Sequence, residues 1–261
     1  MLRSLSTAAT GMDAQQTKLD VTANNIANVS TNGFKKSRAE FEDLMYQTIQ
    51  QPGTSTGANT MSPTGLQVGM GVRVVDTQRD HSEGDLQQTG NQLDLAIQGN
   101  GFFGVTLPSG QLAYTRNGAL KMDSTGKLVT ADGYPLTSSI TIPPDATSVT
   151  IGNDGTVTAA VATSAQAVQI GQIQLVNFPN PAGLAQMGAN LLTETGSSGT
   201  ATTGTPGQNG IGTLQQGSIE GSNVSVVTEM VDLIAGQRAY DVNSRVIKAA
   251  DEMMQETAQL R

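Results

Sequence analysis

The residues with the types and spacing to do chemistry are few. Gly99-Asn100-Gly101-Phe102-Phe103-Gly104 matches the G-x-G-x-x-G string of dinucleotide-binding turns. That chemistry needs a helix opening at the glycines, so that its N-terminus holds a pyrophosphate. Here Phe102-Phe103-Gly104-Val105-Thr106-Leu107 runs into Pro108-Ser109-Gly110, the pattern of a strand entering a turn. His81 is the only histidine, and Asp76, Asp80, Glu83 and Asp85 lie near it. Their spacing lacks the ligand ladder of a calcium loop and reads as a solvated acidic stretch. Ser is plentiful, but no G-x-S-x-G elbow presents a nucleophile. Asp132 and Asp154 sit in turns and form no recognisable glycosidase pair. The chain has no Cys, which excludes disulfides, thiolate catalysis and Cys-based zinc sites. No catalytic residue, metal or cofactor is expected.

The composition narrows the partners. Across 261 residues the formal net charge is -8, against the basic face that nucleic acid requires. No run of about 18 apolar residues is present to cross a membrane. Asp13, Gln15, Gln16 and Lys18 interrupt the apolar core of a signal peptide, so export would need another route. Aromatic residues are 3% of the chain and Trp is absent, poor material for one dense core.

The ends carry the clearest periodicity. Leu5, Met12, Leu19 and Ile26 recur every seven residues, with Leu2, Ala9, Gln16 and Ala23 as a companion column. They predict a helix over residues 2–29. Val226, Leu233, Tyr240, Ile247 and Met254 repeat the pattern in a second helix from Asn223 to Leu260, where Ser222 or Asn223 can cap the start and Glu229 and Asp232 suit the helix dipole. Val227, Val231, Ile234, Val242, Val246 and Met253 add a second apolar flank. A helix apolar on two sides needs two neighbours: the N-terminal helix and another subunit.

Between the ends, turn signals at Ser109-Gly110, Asn117-Gly118, Thr125-Gly126 and Asp132-Gly133 punctuate β-rich runs, the rhythm of an antiparallel β domain. The expected fold is α+β. Paired terminal helices, 1–29 with 222–261, form a discontinuous coiled-coil-like domain. Residues 30–71 form a linker and insertion, 72–214 an inserted antiparallel β domain, and 215–221 a return linker. The stretch from Gln51 to Thr60 is too polar to fold alone.

Three motifs are more specific. Residues 23–36, Ala-Asn-Asn-Ile-Ala-Asn-Val-Ser-Thr-Asn-Gly-Phe-Lys-Lys, resemble the N-terminal signature of bacterial flagellar rod and hook proteins. Gln237-Arg238-Ala239-Tyr240-Asp241-Val242-Asn243-Ser244 and Ala249-Ala250-Asp251-Glu252-Met253-Met254 resemble that family's C-terminal motif, and Ile97–Phe103 is typical of its middle. Residues 41–53 and 65–72 look like the insertion of the rod branch; Gln47, Pro52, Gly53, Gly65, Leu66 and Gly69 mark it. Ser6, Thr7 and Gly236 depart mildly, standing where larger residues are common.

The resemblance implies a non-enzymatic subunit of a helical homopolymer in the flagellar basal body. It would stand between proximal rod and hook subunits, cross the periplasm inside the P and L rings, and reach its place through the flagellar type III export apparatus without a cleaved signal. Subunit contacts are expected from Leu2, Leu5, Met12, Leu19, Asn24, Asn25, Ile26 and Asn28 on the first helix. On the second they are expected from Val226, Leu233, Gln237, Arg238, Tyr240, Asn243, Ile247 and Met254.

Overall fold

The computed structural model describes residues 2–53, 55–57, 60–61, 63–161 and 167–259, and the chain divides into two compact units. The first holds residues 1–27, 37–78 and 225–261; the second holds 28–36 and 79–224.

In the first unit, helix α1 (Leu2–Ala27, 26 residues) packs on helix α2 (Val226–Gln259, 34 residues). Gly11 faces Asn243, Lys18 pairs with Asp232, Leu19 lies over Gly236, and Asn25 meets Glu229. Rising numbers on α1 meet falling numbers on α2, so the helices are antiparallel. The seam is made of small and polar side chains. Ala8, Ala14, Thr22 and Asn25 of α1 are buried, as are Glu229, Gly236 and Ala250 of α2. A β-carbon added to Gly11 would lie 3.0 Å from Asn243 Nδ2, and one added to Gly236 would lie 3.0 Å from Leu19 Cδ2. Each glycine thus leaves room for a side chain of the facing helix, Asn243 over Gly11 and Leu19 over Gly236.

The predicted seam is rotated relative to this one. Leu5, Met12, Leu19 and Ile26 are only half-buried, with Leu19 lying against Gly236, whereas Ala9, Gln16 and Ala23 are exposed. Ala and Gly carry little hydrophobic signal, so the leucine column dominates the periodicity while the small residues set the contact. The α2 cap also differs. Ser225 holds the capping position, with its carbonyl accepting from Glu229 N at 3.0 Å and its hydroxyl from Thr228. Asn223 is engaged elsewhere, in the second unit.

The rest of the first unit is β. Strand Ser37–Asp43 pairs with Val72–Arg79. Tyr46–Gln50 pairs antiparallel with Leu66–Gly69, and Ser55–Gly57 with Thr60–Met61. The insertion, expected as a polar linker, is therefore a long two-stranded arm. Its ladder satisfies backbone groups without burying side chains: Met45 is 85% exposed, and Tyr46, Ile49 and Leu66 are exposed too.

In the second unit, six antiparallel strands lie in the order Ala185–Gly188, Leu191–Thr193, Leu112–Thr115, Phe102–Thr106, Leu175–Asn177, Thr202–Gly204. A second group, Ala146–Ile151, Thr156–Val161 and Val168–Gln172, supplies Val149, Ile151 and Val157 to a core with Leu95, Ile97, Phe103, Leu120, Ile173 and Leu175. Residues 215–221, read from sequence as a return linker, are mostly strand. Thr213–Gln216 pairs with Leu95–Gln98, and Ser218–Glu220 with Leu86–Gln88.

Gly118 is the tightest position, because an added β-carbon would fall 1.6 Å from the Leu95 carbonyl oxygen. Gly118→Ala is expected to cost about 3 kcal/mol or more by forcing the backbone apart. Gly196→Ala, with open space around it, should change stability by less than about 0.5 kcal/mol. Urea unfolding followed by tyrosine fluorescence checks both.

Candidate functional site

Two features stand out: a buried charge cluster where the chain enters and leaves the second unit, and the outer faces of the helix pair.

The cluster forms around Glu220, in the strand that returns the chain towards α2. Its side chain is fully buried. Glu220 Oε1 accepts from Lys35 Nζ at 2.5 Å and from Gly84 N at 3.0 Å, and Oε2 accepts from Arg116 Nε. Lys35 also donates to the Ser82 carbonyl at 2.5 Å. Arg116 donates to the carbonyls of Gly101 at 2.6 Å, Gly99 at 2.6 Å and Ile97 at 2.9 Å. The Gly-rich string is thus an acceptor cradle. Gly99 and Gly101 take φ of 94° and 143°, a region that strains any other residue, and present their carbonyl oxygens to a guanidinium.

Neighbouring bonds gather the entering and leaving segments. Gly33 N donates to Glu220 O at 2.8 Å. Asn223 Oδ1 accepts from Lys36 N at 2.8 Å, and Asn223 Nδ2 donates to Asp80 O at 3.0 Å. Residues 28–36, 79–84 and 217–224 are tied into one knot.

Electrostatics follow from the burial. Desolvation pushes the Glu220 carboxyl up, but Arg116, Lys35 and the Gly84 N–H outweigh it and hold the group below its ordinary value. Desolvation lowers the Lys35 ammonium, partly offset by its bond to Glu220. His81 sits edge-on to Phe102 at 5.7 Å. Desolvation, and then the positive charges of Arg79, Lys35 and Arg116, lower it to about 4.

On the helix pair, Asn25 does the most. Its Oδ1 accepts from Ser37 N at 3.0 Å, and its Nδ2 donates to Ser37 O at 2.9 Å and to Glu229 Oε2 at 3.2 Å. One amide joins α1, the first strand and the start of α2. Asn28 accepts from Thr31 Oγ1 at 3.1 Å, and Asn24 is exposed on the helix surface. Leu2 belongs to the first turn, its side chain outside the described residues.

Of the α2 positions, Leu233, Asn243, Ile247 and Met254 are half-buried, and Val226, Gln237, Arg238 and Tyr240 are exposed. Val227, Met230, Val231, Ile234, Val242, Val246 and Met253 form a further exposed apolar face. In the arm, Gly65 lies where an added β-carbon would strike Gln50 O at 2.7 Å, and Gly69 sits against the Tyr46 ring. Gln47 pairs with Val68, while Pro52 and Gly53 form an exposed turn. Gly71, just beyond the arm, lies against α1, because a β-carbon there would overlap Thr10 Oγ1. Sequence reasoning missed Arg116 and Glu220 entirely, and it met Lys35 only as part of a motif.

Comparison with known proteins decides the family. The chain is 50% identical over its full length to the flagellar basal-body rod protein FlgG of Buchnera aphidicola from Schizaphis graminum, which it covers completely. The identity is 48% to FlgG of Caulobacter vibrioides and 43% to FlgG of Bacillus subtilis, again with both chains fully covered. The chain belongs to the flagellar basal-body rod protein family.

It is a structural subunit of the rod. Family models agree along its length: the flagella basal body rod protein model matches residues 5–35, the flagellar hook protein FlgE/F/G D1 domain matches 96–159, and the flagellar basal body rod FlgEFG C-terminal model matches 215–260. Lys35, Arg116 and Glu220 fall one in each segment of this rod protein.

Glu220→Gln leaves two buried cations without a counter-charge and is expected to cost about 3–5 kcal/mol. The triple variant Lys35→Met, Arg116→Met, Glu220→Met should cost less than Glu220→Gln alone, measured by urea unfolding. Acid acts on the same knot. His81 is neutral in the fold down to about 4, whereas in the unfolded chain it takes up a proton near 6.5. Stability is therefore full above 6.5 and falls as pH drops towards 4, by about 3 kcal/mol in total. His81→Phe should flatten that slope in unfolding curves collected between pH 7 and pH 4.

Proposed function

We propose that this chain is the distal-rod subunit, polymerising with copies of itself into a straight helical tube that carries motor torque through the periplasm to the hook. The observation that carries the reading is the face of α2 opposite the α1 seam. Val231 is 61% exposed and Val227 75%, on a helix whose other side is already occupied. An apolar stripe of this length on a surface helix calls for a protein neighbour. In a homopolymer rod that neighbour is another copy, and the terminal helices form the inner layer of the tube.

The same reading gives the remaining partners: proximal rod and hook subunits at the two ends of the segment, P and L ring proteins around it, and the type III export apparatus that delivers it. Export without a cleaved signal accords with helices that complete their burial only on assembly. The chain is read as a non-enzyme. The arm that begins at Tyr46 and ends at Gly69 is assigned to bridging neighbouring subunits, through Met45, Tyr46, Ile49 and Leu66, and so to stiffening the tube.

Val231→Asp with Ile234→Asp places two charges on the stripe and outside the seam. The monomer is expected to keep its melting temperature within about 3 °C while straight tubes disappear from electron micrographs. Tubes that persist would sink the reading. Deleting residues 53–62 should yield curved polymers; a still-straight rod removes the stiffening role. Removing residues 1–28 is expected to abolish assembly and leave the second unit folded, because Lys35 is retained.

A further inference from the structure

The six-stranded sheet of the second unit has a hole in one face. Gly104 stands directly opposite Tyr114 in the register, and Leu112, Tyr114, Val176 and Thr203 fall on the same side of the sheet. With no side chain at Gly104, a groove of about 320 Å3 opens among them, bounded by Glu194 and Ala201. A β-carbon on Gly104 would meet Thr137 Oγ1 at 2.7 Å, so the hole cannot be filled without moving that wall. At about 30 Å3 per water-sized particle, the groove has room for roughly ten non-hydrogen atoms. That is the small end of the range for ligand pockets.

Two polar groups in the groove lack partners. Tyr114 is 3% exposed, with its ring edge-on to Phe178 at 4.8 Å, and its hydroxyl has no hydrogen-bond partner among the described residues. The Glu194 carboxylate is exposed and has neither an ion pair nor a hydrogen bond among them. Burial, and then the charge of Glu194, hold the Tyr114 phenol above its ordinary value, so the two groups lie within electrostatic reach of each other. Glu194 is also the one charged residue among those that line the groove. The remaining walls are partly apolar: Leu112 is 47% exposed at the rim, and Val176 and Ala201 lie further along.

We infer that this groove is a binding site for a small aliphatic cation, an alkylguanidinium or alkylammonium, with its charged head on Glu194 and the Tyr114 hydroxyl and its stem along Leu112, Val176 and Ala201. A carboxylate and a phenol oxygen accept hydrogen bonds, and a guanidinium or ammonium head only donates them. The stem displaces water from apolar walls that give it no hydrogen bonds in return. A neutral polar ligand would leave the carboxylate without a counter-charge.

The test is titration of the full chain with hexylguanidinium, followed by the NMR methyl resonances of Leu112, Val176 and Ala201. Saturable shifts are expected with a Kd on the order of 1 mM. Glu194→Gln, at an exposed position that the fold does not depend on, should weaken binding by about tenfold or more. Tyr114→Phe should weaken it by a smaller factor. Hexylurea has the same shape without the charge and should not bind. Unmoved methyls, equal binding of hexylurea, or full affinity in Glu194→Gln would each overturn the proposal. A blocked arginine, N-acetylarginine methylamide, separates two sources of the same chemistry. Binding as tight as that of hexylguanidinium assigns the groove to a basic side chain of a neighbouring chain, and binding of hexylguanidinium alone assigns it to a free amphipathic cation; both results support the site.

Discussion

One carboxylate carries an unusual share of this fold. Glu220 is fully buried and binds Lys35 from the segment leaving α1 and Arg116 from the middle of the β unit. Burying three charges is costly, and an apolar trio of similar volume serves stability as well or better. What the ionic version supplies is a requirement for completeness: with any one member missing, a charge is stranded in a low-dielectric interior. The members come from residues 35, 116 and 220, so the knot closes only when the chain between residues 35 and 220 is correctly threaded. In a protein whose two ends must meet, that couples folding of the β unit to placement of both segments leading to the helices.

The helix pair solves a different problem. Its internal seam is thin, built on Ala8, Gly11, Ala14, Gly236 and Ala250, with Asn25 and Glu229 bonded inside it. A seam of small residues brings two helices close but buries little apolar area, so the pair alone is weakly held. The larger side chains, among them Val227, Val231 and Ile234, look outward. Much of the apolar side-chain surface of α2 therefore stays exposed in the single chain.

The legible parts of the sequence were those with long-range period. Both terminal helices, their pairing and the inserted antiparallel β unit follow from heptads and regularly spaced turns. Their contact face did not, because Ala and Gly contribute almost nothing to hydrophobic periodicity even where they decide packing. The arm strands were hidden for another reason: Tyr46–Gln50 and Leu66–Gly69 are separated by a long polar stretch, and no short-turn signal links them. Glu220 had no signal at all. A lone acid in Ser-Ile-Glu-Gly looks like any surface acid, and only the fold brings Lys35 and Arg116 to it. In the Gly99–Gly104 string the carbonyls of Gly99 and Gly101 accept from the Arg116 guanidinium, a use that no sequence motif announces.

Helix α2 is eight residues longer than α1, 34 against 26, and the register that sets Asn25 beside Glu229 leaves all of the excess at the far end. One end of the pair is closed by hydrogen bonds to Ser37; the other ends in an unmatched stretch that includes Met253. The helix pair therefore has a head and a tail. Copies stacked in one sense meet head to tail at every joint, so a polymer built on these helices is a polar object, growing and terminating by different contacts at its two ends.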